Sequence, residues 1–268
     1  MPSADAFAAL SHRWGRPPGL LTAWLGIPSP ILAGVVAREG VDCVTLDMQH
    51  GGFDLAAAVL GIGQVMLAGK PALVRVPVGD YATASRLLDS GAAGIIAPMV
   101  NSVADARALV EFTKFPPVGA RSWGPVLAMD ASGLGPADYL RRANGLTKAI
   151  AMVETRESLA ALDDILAVEG VDGVFVGPSD LSITLSGGAH VDAEHKDVDA
   201  ALDHVLARCR AAGKAACVFA PSGPRAGEMR RRGFDLVALA NDVGQVRLGV
   251  KTMLEQAGAA KGPATQGY

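Results

Sequence analysis

Two carboxylates, Glu154 and Asp180, stand where chemistry is expected. Glu154 directly follows the apolar run Lys148–Val153, and Asp180 follows Gly173–Val176 through Gly177-Pro178-Ser179. They lie one strand-plus-helix period apart, which gives them the same place on adjacent parallel strands, and such strands run about 4.8 Å apart. Carboxylates that close repel, and one keeps its proton unless a cation joins them. An oxygen-only pair with no Cys or His cluster beside it suits a hard divalent ion, Mg²⁺ or Mn²⁺, with Co²⁺ as a further candidate. Two protein ligands leave most of an octahedral shell to water and substrate. The same residues also suit helix starts, with Asp180 ahead of one helix and Thr155 capping the helix after Glu154.

A second group surrounds the ends of two earlier apolar runs. Asp47 and His50 sit three residues apart, so that the carboxylate could orient the imidazole as a general base. They could equally be a strand-terminal Asp beside a surface His. Arg75 is embedded in Leu73-Val74-Arg75-Val76-Pro77. A buried guanidinium needs an anion. That anion is a salt-bridge partner, Asp47 or Glu154, or an oxyanion of a substrate, or both. Gly177, Pro178 and Ser179 could present backbone N–H groups to a substrate carboxylate at a helix start. Trp24 closes the first run and reads as a packing residue that could also touch substrate. Arg121 stays open between a role at the site and a solvated loop residue. His12, His190, His195 and His204 receive no role. The eighth run ends in Asn241-Asp242.

The elements that must position these groups alternate at a nearly fixed period. Strands are expected at Leu20–Trp24, Asp42–Asp47, Ala72–Val76, Gly94–Pro98, Lys148–Val153, Gly173–Val176, Ala215–Phe219 and Leu236–Ala240. Continuous β-branched runs suit parallel strands covered on both faces. Helices are expected at Leu55–Leu67, Ala82–Leu88, Val103–Phe112, Glu157–Ala167, Val198–Ala211 and Gln245–Glu255. Gly40, Gly69, Gly91, Gly170, Gly213 and Gly233 suit left-handed helix ends. Eight such units predict an α/β fold, a single (β/α)₈ TIM barrel over residues 1–257, with a disordered tail over 258–268; an open doubly wound sheet is the alternative. Chemistry in such barrels gathers at the C-terminal ends of the strands, where Asp47, Arg75, Glu154 and Asp180 fall. Two longer connections, Lys114–Gly135 and Ser182–Lys196, interrupt the rhythm.

Composition removes several classes. Of 268 residues, 24 are Lys or Arg and 27 Asp or Glu, a formal charge of -3, which argues against nucleic acid as a partner. Arg230-Arg231-Arg232 reads as a solvated helix end. Cys43, Cys209 and Cys217 are too few and too scattered for a disulfide or zinc framework and suit buried thiols in a reducing cytoplasm. No signal peptide or membrane-spanning run is visible. A Schiff-base aldolase needs a Lys on the catalytic rim. Lys70, Lys148 and Lys214 fall at the other ends of their strands.

Several segments together resemble the HpcH/HpaI aldolases, the 4-hydroxy-2-oxoheptanedioate and 2-dehydro-3-deoxyglucarate aldolase type. They are Leu46-Asp47-Met48-Gln49-His50, Val74-Arg75-Val76-Pro77, Ala97-Pro98-Met99-Val100, Pro116-Pro117-Val118-Gly119-Ala120-Arg121, Met152-Val153-Glu154-Thr155-Arg156-Glu157 and Gly170-Val171-Asp172-Gly173-Val174-Phe175-Val176-Gly177-Pro178-Ser179-Asp180-Leu181-Ser182. The resemblance implies a class II, metal-dependent aldehyde-lyase that reversibly cleaves 4-hydroxy-2-oxo acids to pyruvate, or a related 2-oxo acid, and an aldehyde through a metal-bound enolate. It implies metal ligands at Glu154 and Asp180, a catalytic His50 with partner Asp47, and a substrate-binding Arg75. It also implies a homo-oligomer, commonly a hexamer, whose last helix is exchanged between neighbours. Gln49 stands where many relatives carry Glu, and Ser179 where many carry Ala; both bear on the choice of substrate. The other readings are a citrate-lyase-like acyl-CoA lyase, a phosphoenolpyruvate-type mutase or lyase, and a non-catalytic 2-oxo-acid-binding barrel.

Overall fold

The computed structural model describes residues 4–258. The expected tail lies outside the described residues apart from Gly258. Eight strands, β1 (Leu20–Leu25), β2 (Cys43–Asp47), β3 (Ala72–Arg75), β4 (Gly94–Ala97), β5 (Lys148–Val153), β6 (Gly173–Val176), β7 (Ala215–Ala220) and β8 (Leu236–Asn241), pair in sequence order. Every pairing is parallel, and β8 returns to β1, so the sheet is a closed barrel. The open-sheet alternative is excluded.

The helices before β5 are α1 (Ala4–Arg13), α2 (Pro30–Ala37), α3 (Leu55–Leu67), α4 (Tyr81–Asp89), α5 (Val103–Thr113), α6 (Val126–Ser132) and α7 (Pro136–Leu146). After it come α8 (Arg156–Ala160), α9 (Leu162–Leu166), α10 (Pro178–Leu185), α11 (Lys196–Ala212), α12 (Gly223–Arg232) and α13 (Asp242–Gln256). No helix among the described residues is long and apolar enough to cross a membrane.

Alternation along each strand explains why the runs are apolar throughout. Leu20, Cys43, Leu73, Ile96, Ile150, Phe175, Cys217 and Leu236 point inward and fill the barrel, while Val44, Leu46, Val74, Ile95, Val174 and Val237 point outward against the helices. The same period of two continues past Thr45 to Asp47, past Leu73 to Arg75 and past Ile150 and Met152 to Glu154. These three ionisable groups, with Trp24, therefore share the inward parity at the C-terminal mouth.

The opposite mouth is closed by α1, an element with no counterpart in the sequence expectations. Its Phe7 and Leu10 are buried, and Leu10 joins the barrel interior. Just beyond it, Trp14 Nε1 donates to the Asp172 carbonyl at 3.1 Å. Lys70, Lys148 and Lys214 donate to the carbonyls of Val41, Gly145 and Val171 at this end of the molecule, as expected. Lys114 is fully buried among them, its Nζ satisfied by Asn144 O, Thr147 O and Asp172 Oδ2.

Several expectations need correction. The helix expected over Glu157–Ala167 is two, because Ala161 ends α8 and starts α9. Gly69, Gly91, Gly170, Gly213 and Gly233 have φ between 66° and 102°, but Gly40 is not left-handed, since α2 ends earlier through Arg38 in a right-handed conformation. The long connection before β5 contains α6. The basic run at the end of α12 is largely engaged: Arg230 Nε donates to Gly19 O, and Arg232 pairs with Asp199 and Asp203. The three cysteines are buried, and burial pushes Cys43 and Cys209 up to about 12.

Candidate active site

Asp47 is the most heavily engaged group at the C-terminal mouth. It is 4 % exposed and accepts five hydrogen bonds. Arg75 approaches in a fork, Nε to Oδ1 at 2.9 Å and Nη2 to Oδ2 at 2.6 Å. Trp24 Nε1 reaches Oδ2 at 3.3 Å, and the backbone N–H groups of Gln49 and His50 reach Oδ1 at 3.0 and 3.3 Å. Burial alone would raise this carboxyl, but the Arg75 fork and charge, with the two backbone donors, hold it below its ordinary value. The pair that the sequence left open for Arg75 is therefore with Asp47. Its Nη1 makes no hydrogen bond among the described residues. The guanidinium also stacks 4.9 Å from the Trp24 ring centroid, and Trp24 packs on Phe175 and Phe219. Trp24 is thus a packing residue that also aims the ion pair.

The expected Asp47–imidazole bond is absent among the described residues. Asp47 holds the His50 backbone, and its acceptor sites are already filled by Arg75 and Trp24. The His50 side chain is exposed at the rim, on the turn Met48–Gly52. That turn is pressed inward at Gly51, where a Cβ would come within 2.2 Å of the Asp47 carbonyl. Gln49 Oε1 is buried there without a hydrogen-bond partner.

Glu154 follows β5 and is 2 % exposed. Its backbone is fixed by Ser158, whose Oγ accepts from both Glu154 N and Thr155 N at 3.1 and 3.0 Å, within a capping box that Thr155 forms at the start of α8. The Thr155 cap is thus real, and it leaves the Glu154 side chain free for other work. Oε1 accepts the Met99 N–H at 2.7 Å. Met99 holds a left-handed φ of 55°, uncommon for a residue with a Cβ and a form of local strain that clusters at functional sites. Oε2 has no protein donor among the described residues. It lies over Gly177, where a Cβ would approach it to 2.6 Å, so only glycine leaves that oxygen open.

Asp180 is exposed at the third position of α10, whose N-cap is Gly177. It is not the cap, and its carboxylate makes no hydrogen bond among the described residues. Pro178 supplies no N–H, so the free N–H groups of this helix start belong to Ser179 and Asp180. Burial raises the Glu154 carboxyl; the Met99 N–H opposes this, the charge of Asp180 adds to it and the charge of Arg75 opposes it. Two acidic groups that repel each other, each with an oxygen lacking a donor, form a donor set that fits a hard divalent cation. No group of three or more His, Cys, Asp or Glu that could hold an ion gathers among the described residues, so the candidate donor set is this pair.

Arg121 is not a solvated loop residue. It is 3 % exposed, pairs with Asp89 at 2.6 Å and lies 4.5 Å over the Phe115 ring, away from the acidic pair. Sequence reasoning placed Met99 and Asp242 at strand ends but gave them no role: Met99 contributes a backbone N–H, and Asp242 takes three backbone N–H groups at the end of β8.

The family model described as HpcH/HpaI aldolase/citrate lyase matches residues 21–248. A hydroxypyruvate/pyruvate aldolase of Rhizorhabdus wittichii is 39 % identical over 245 residues, 91 % of this chain and 96 % of that protein. A 4-hydroxy-2-oxo-heptane-1,7-dioate aldolase of Salmonella paratyphi C is 31 % identical over 92 % of each. The crystal structure of an HpcH/HpaI aldolase/citrate lyase family protein from Burkholderia cenocepacia superposes with a TM-score of 0.83 at 30 % identity, covering 94 % of this chain and 100 % of that one. Barrel, inward carboxylates and matched length agree: the chain belongs to the HpcH/HpaI aldolase/citrate lyase family.

Proposed function

We propose that the protein is a class II aldehyde-lyase that reversibly cleaves 4-hydroxy-2-oxo acids to pyruvate, or a related 2-oxo acid, and an aldehyde. The observation that carries this reading is the pairing of two carboxylates, Glu154 with its Oε2 free of donors and Asp180 with no hydrogen bond among the described residues, beside an Arg75 whose Nη1 is unengaged. Glu154 and Asp180 hold Mg²⁺ or Mn²⁺, with Co²⁺ a further candidate, and the bound ion supplies Lewis acidity toward the 2-oxo acid. The N–H groups of Ser179 and Asp180 receive the substrate carboxylate at the start of α10. The His50 imidazole takes the proton from the 4-hydroxyl as the C3–C4 bond breaks, releasing the aldehyde. Arg75, locked by Asp47 and stacked on Trp24, directs Nη1 at the enolate oxygen of the pyruvate half. In the synthetic direction His50 removes a proton from the pyruvate methyl.

With a panel of 4-hydroxy-2-oxo acids, pyruvate release is expected, and His50→Ala lowers kcat by about 10²–10⁴-fold while leaving metal binding intact. Near-wild-type turnover removes His50 from the mechanism. Cleavage of acyl-CoA thioesters without pyruvate release replaces the aldolase reading with a lyase one.

The same reading makes the chain a homo-oligomer, a hexamer with α13 exchanged between neighbours. Asp242 is the only buried residue of that helix, and Val246, Leu248, Val250, Met253 and Leu254 are all at least 50 % exposed. A helix with apolar side chains exposed on opposite sides needs a partner. Sedimentation velocity should show a hexamer that Leu248→Lys disrupts; a wild-type monomer contradicts the arrangement.

A further inference from the structure

We propose that Asp242 is a positioning residue that ties the root of α13 to the loop bearing His50. Its carboxylate is 2 % exposed and pairs with no Lys, Arg or His among the described residues. Instead Oδ1 and Oδ2 accept the Gly26 N–H at 3.0 and 3.1 Å, Oδ2 accepts the Ile27 N–H at 2.8 Å and Oδ1 accepts the Val243 N–H at 2.9 Å. A buried charge without a counterion depends on such donors.

The backbone is bent to aim this group. Between β1 and β8 the register advances from Ala23 opposite Leu239 to Trp24 opposite Asn241, leaving Ala240 as the extra residue of a bulge. Ala240 carries a φ of 50°, a left-handed conformation in a residue with a Cβ. Bulges of this kind re-aim side chains beside active sites. A left-handed alanine and a buried carboxylate held by backbone N–H groups without a counterion, two residues apart, are local costs that stability alone gives no reason to combine.

From Asp242 the contacts lead to the site in two steps. The Gly26 carbonyl accepts the Gly52 N–H at 2.8 Å. Gly51 packs so closely on Gly26 that a Cβ on Gly51 would stand 2.8 Å from the Gly26 Cα. His50 precedes Gly51 directly. The loop after β1 is therefore a bridge between the first residue of α13 and the residue proposed as base. Asp242 is also the only buried residue of α13, and its carboxylate is where that helix meets the loop leading to His50.

The catalytic part of this inference rests on His50 being the base; the mechanical part does not. Hydrogen exchange on the metal-free protein tests the second, and steady-state kinetics the first. Asp242→Asn keeps one acceptor oxygen but turns an amide donor toward the loop. The Gly26, Ile27 and Gly52 amides should then exchange about tenfold faster or more. kcat should fall about ten- to a hundredfold, as a displaced base would cause, with Mn²⁺ affinity and KM unchanged. Faster exchange at Gly26 and Ile27 only, with Gly52 still protected and kcat at the wild-type value, overturns the proposal.

Gly51→Ala perturbs the bridge from its other end and serves if Asp242→Asn fails to fold. It should speed exchange at Gly26, Ile27 and Val243; no change there also overturns the proposal. If His50→Ala proves fully active while these exchange effects stand, the base assignment fails and the Asp242 linkage survives.

Discussion

Glu154→Gln should lower kcat by about a thousandfold or more, the equivalent of the several kcal/mol that a lost Lewis acid represents, without destabilising the metal-free protein. The side-chain oxygen of Gln can still accept the Met99 N–H, so the local fold is kept. What disappears is a negative charge held in a buried place against a second carboxylate. The Glu154 carboxyl sits above its ordinary value because burial and Asp180 disfavour ionisation. A group shifted in that direction favours the folded state at low pH, and that contribution fades as pH rises through the folded value. Above that folded value the metal-free wild type carries an unfavourable charge that the amide removes. Thermal denaturation in EDTA should show Glu154→Gln melting at or above the wild-type temperature, and stopped-time pyruvate assays with saturating Mn²⁺ should show the loss of turnover. A variant that melts far lower, or that turns over normally, contradicts this account of Glu154.

Arg75→Met should be the most destabilising single change at the site, at about 3–5 kcal/mol, because it leaves the Asp47 carboxylate buried without its cation. The double variant Arg75→Met with Asp47→Asn should recover most of that stability and none of the activity, since Nη1 is then missing from the enolate side. The pH dependence has a definite sign. Asp47 is held below its ordinary value in the folded protein. Its contribution to stability is present above the unfolded-state value and is lost as pH falls through the lowered one. The gap between wild type and Arg75→Met should thus be widest near neutrality and close in acid. Urea titrations at several pH values measure it, and a gap that widens on acidification would show that Asp47 is not the group Arg75 stabilises.

The parts of the site that sequence made legible are those set by strand alternation. Asp47, Arg75 and Glu154 continue the inward parity of Thr45, Leu73 and Met152, so their place on one rim follows from a period of two. Lys70, Lys148 and Lys214 were legible for the same reason, each at the start of its strand. The missing parts are carried by groups with no side-chain signature or by distant partners. Met99 contributes a backbone N–H in a conformation normally expected of glycine. Arg121 suggests a solvated residue because it stands in a Pro- and Gly-rich loop, yet its partner Asp89 comes from α4 and Phe115 covers it. The imidazole of His50 was expected on Asp47, but Arg75 and Trp24 compete for the same oxygens and leave Asp47 only the His50 backbone. α2 gives no helical signal in sequence because Pro30–Ala37 is apolar on nearly every side, and α1 shows itself only where Leu10 packs into the barrel end. Asn241-Asp242 stood out at the end of the last run, but its donors come from residues 26 and 27, across the closure of the barrel.

The claim on which everything else depends is that Glu154 and Asp180 share one cation. Calorimetric titration of the metal-stripped protein with Mn²⁺ addresses it directly. The expected result is one site per chain in the wild type, with affinity lost in both Glu154→Gln and Asp180→Asn. Wild-type Mn²⁺ affinity in either variant would show that the two carboxylates do not hold the ion together.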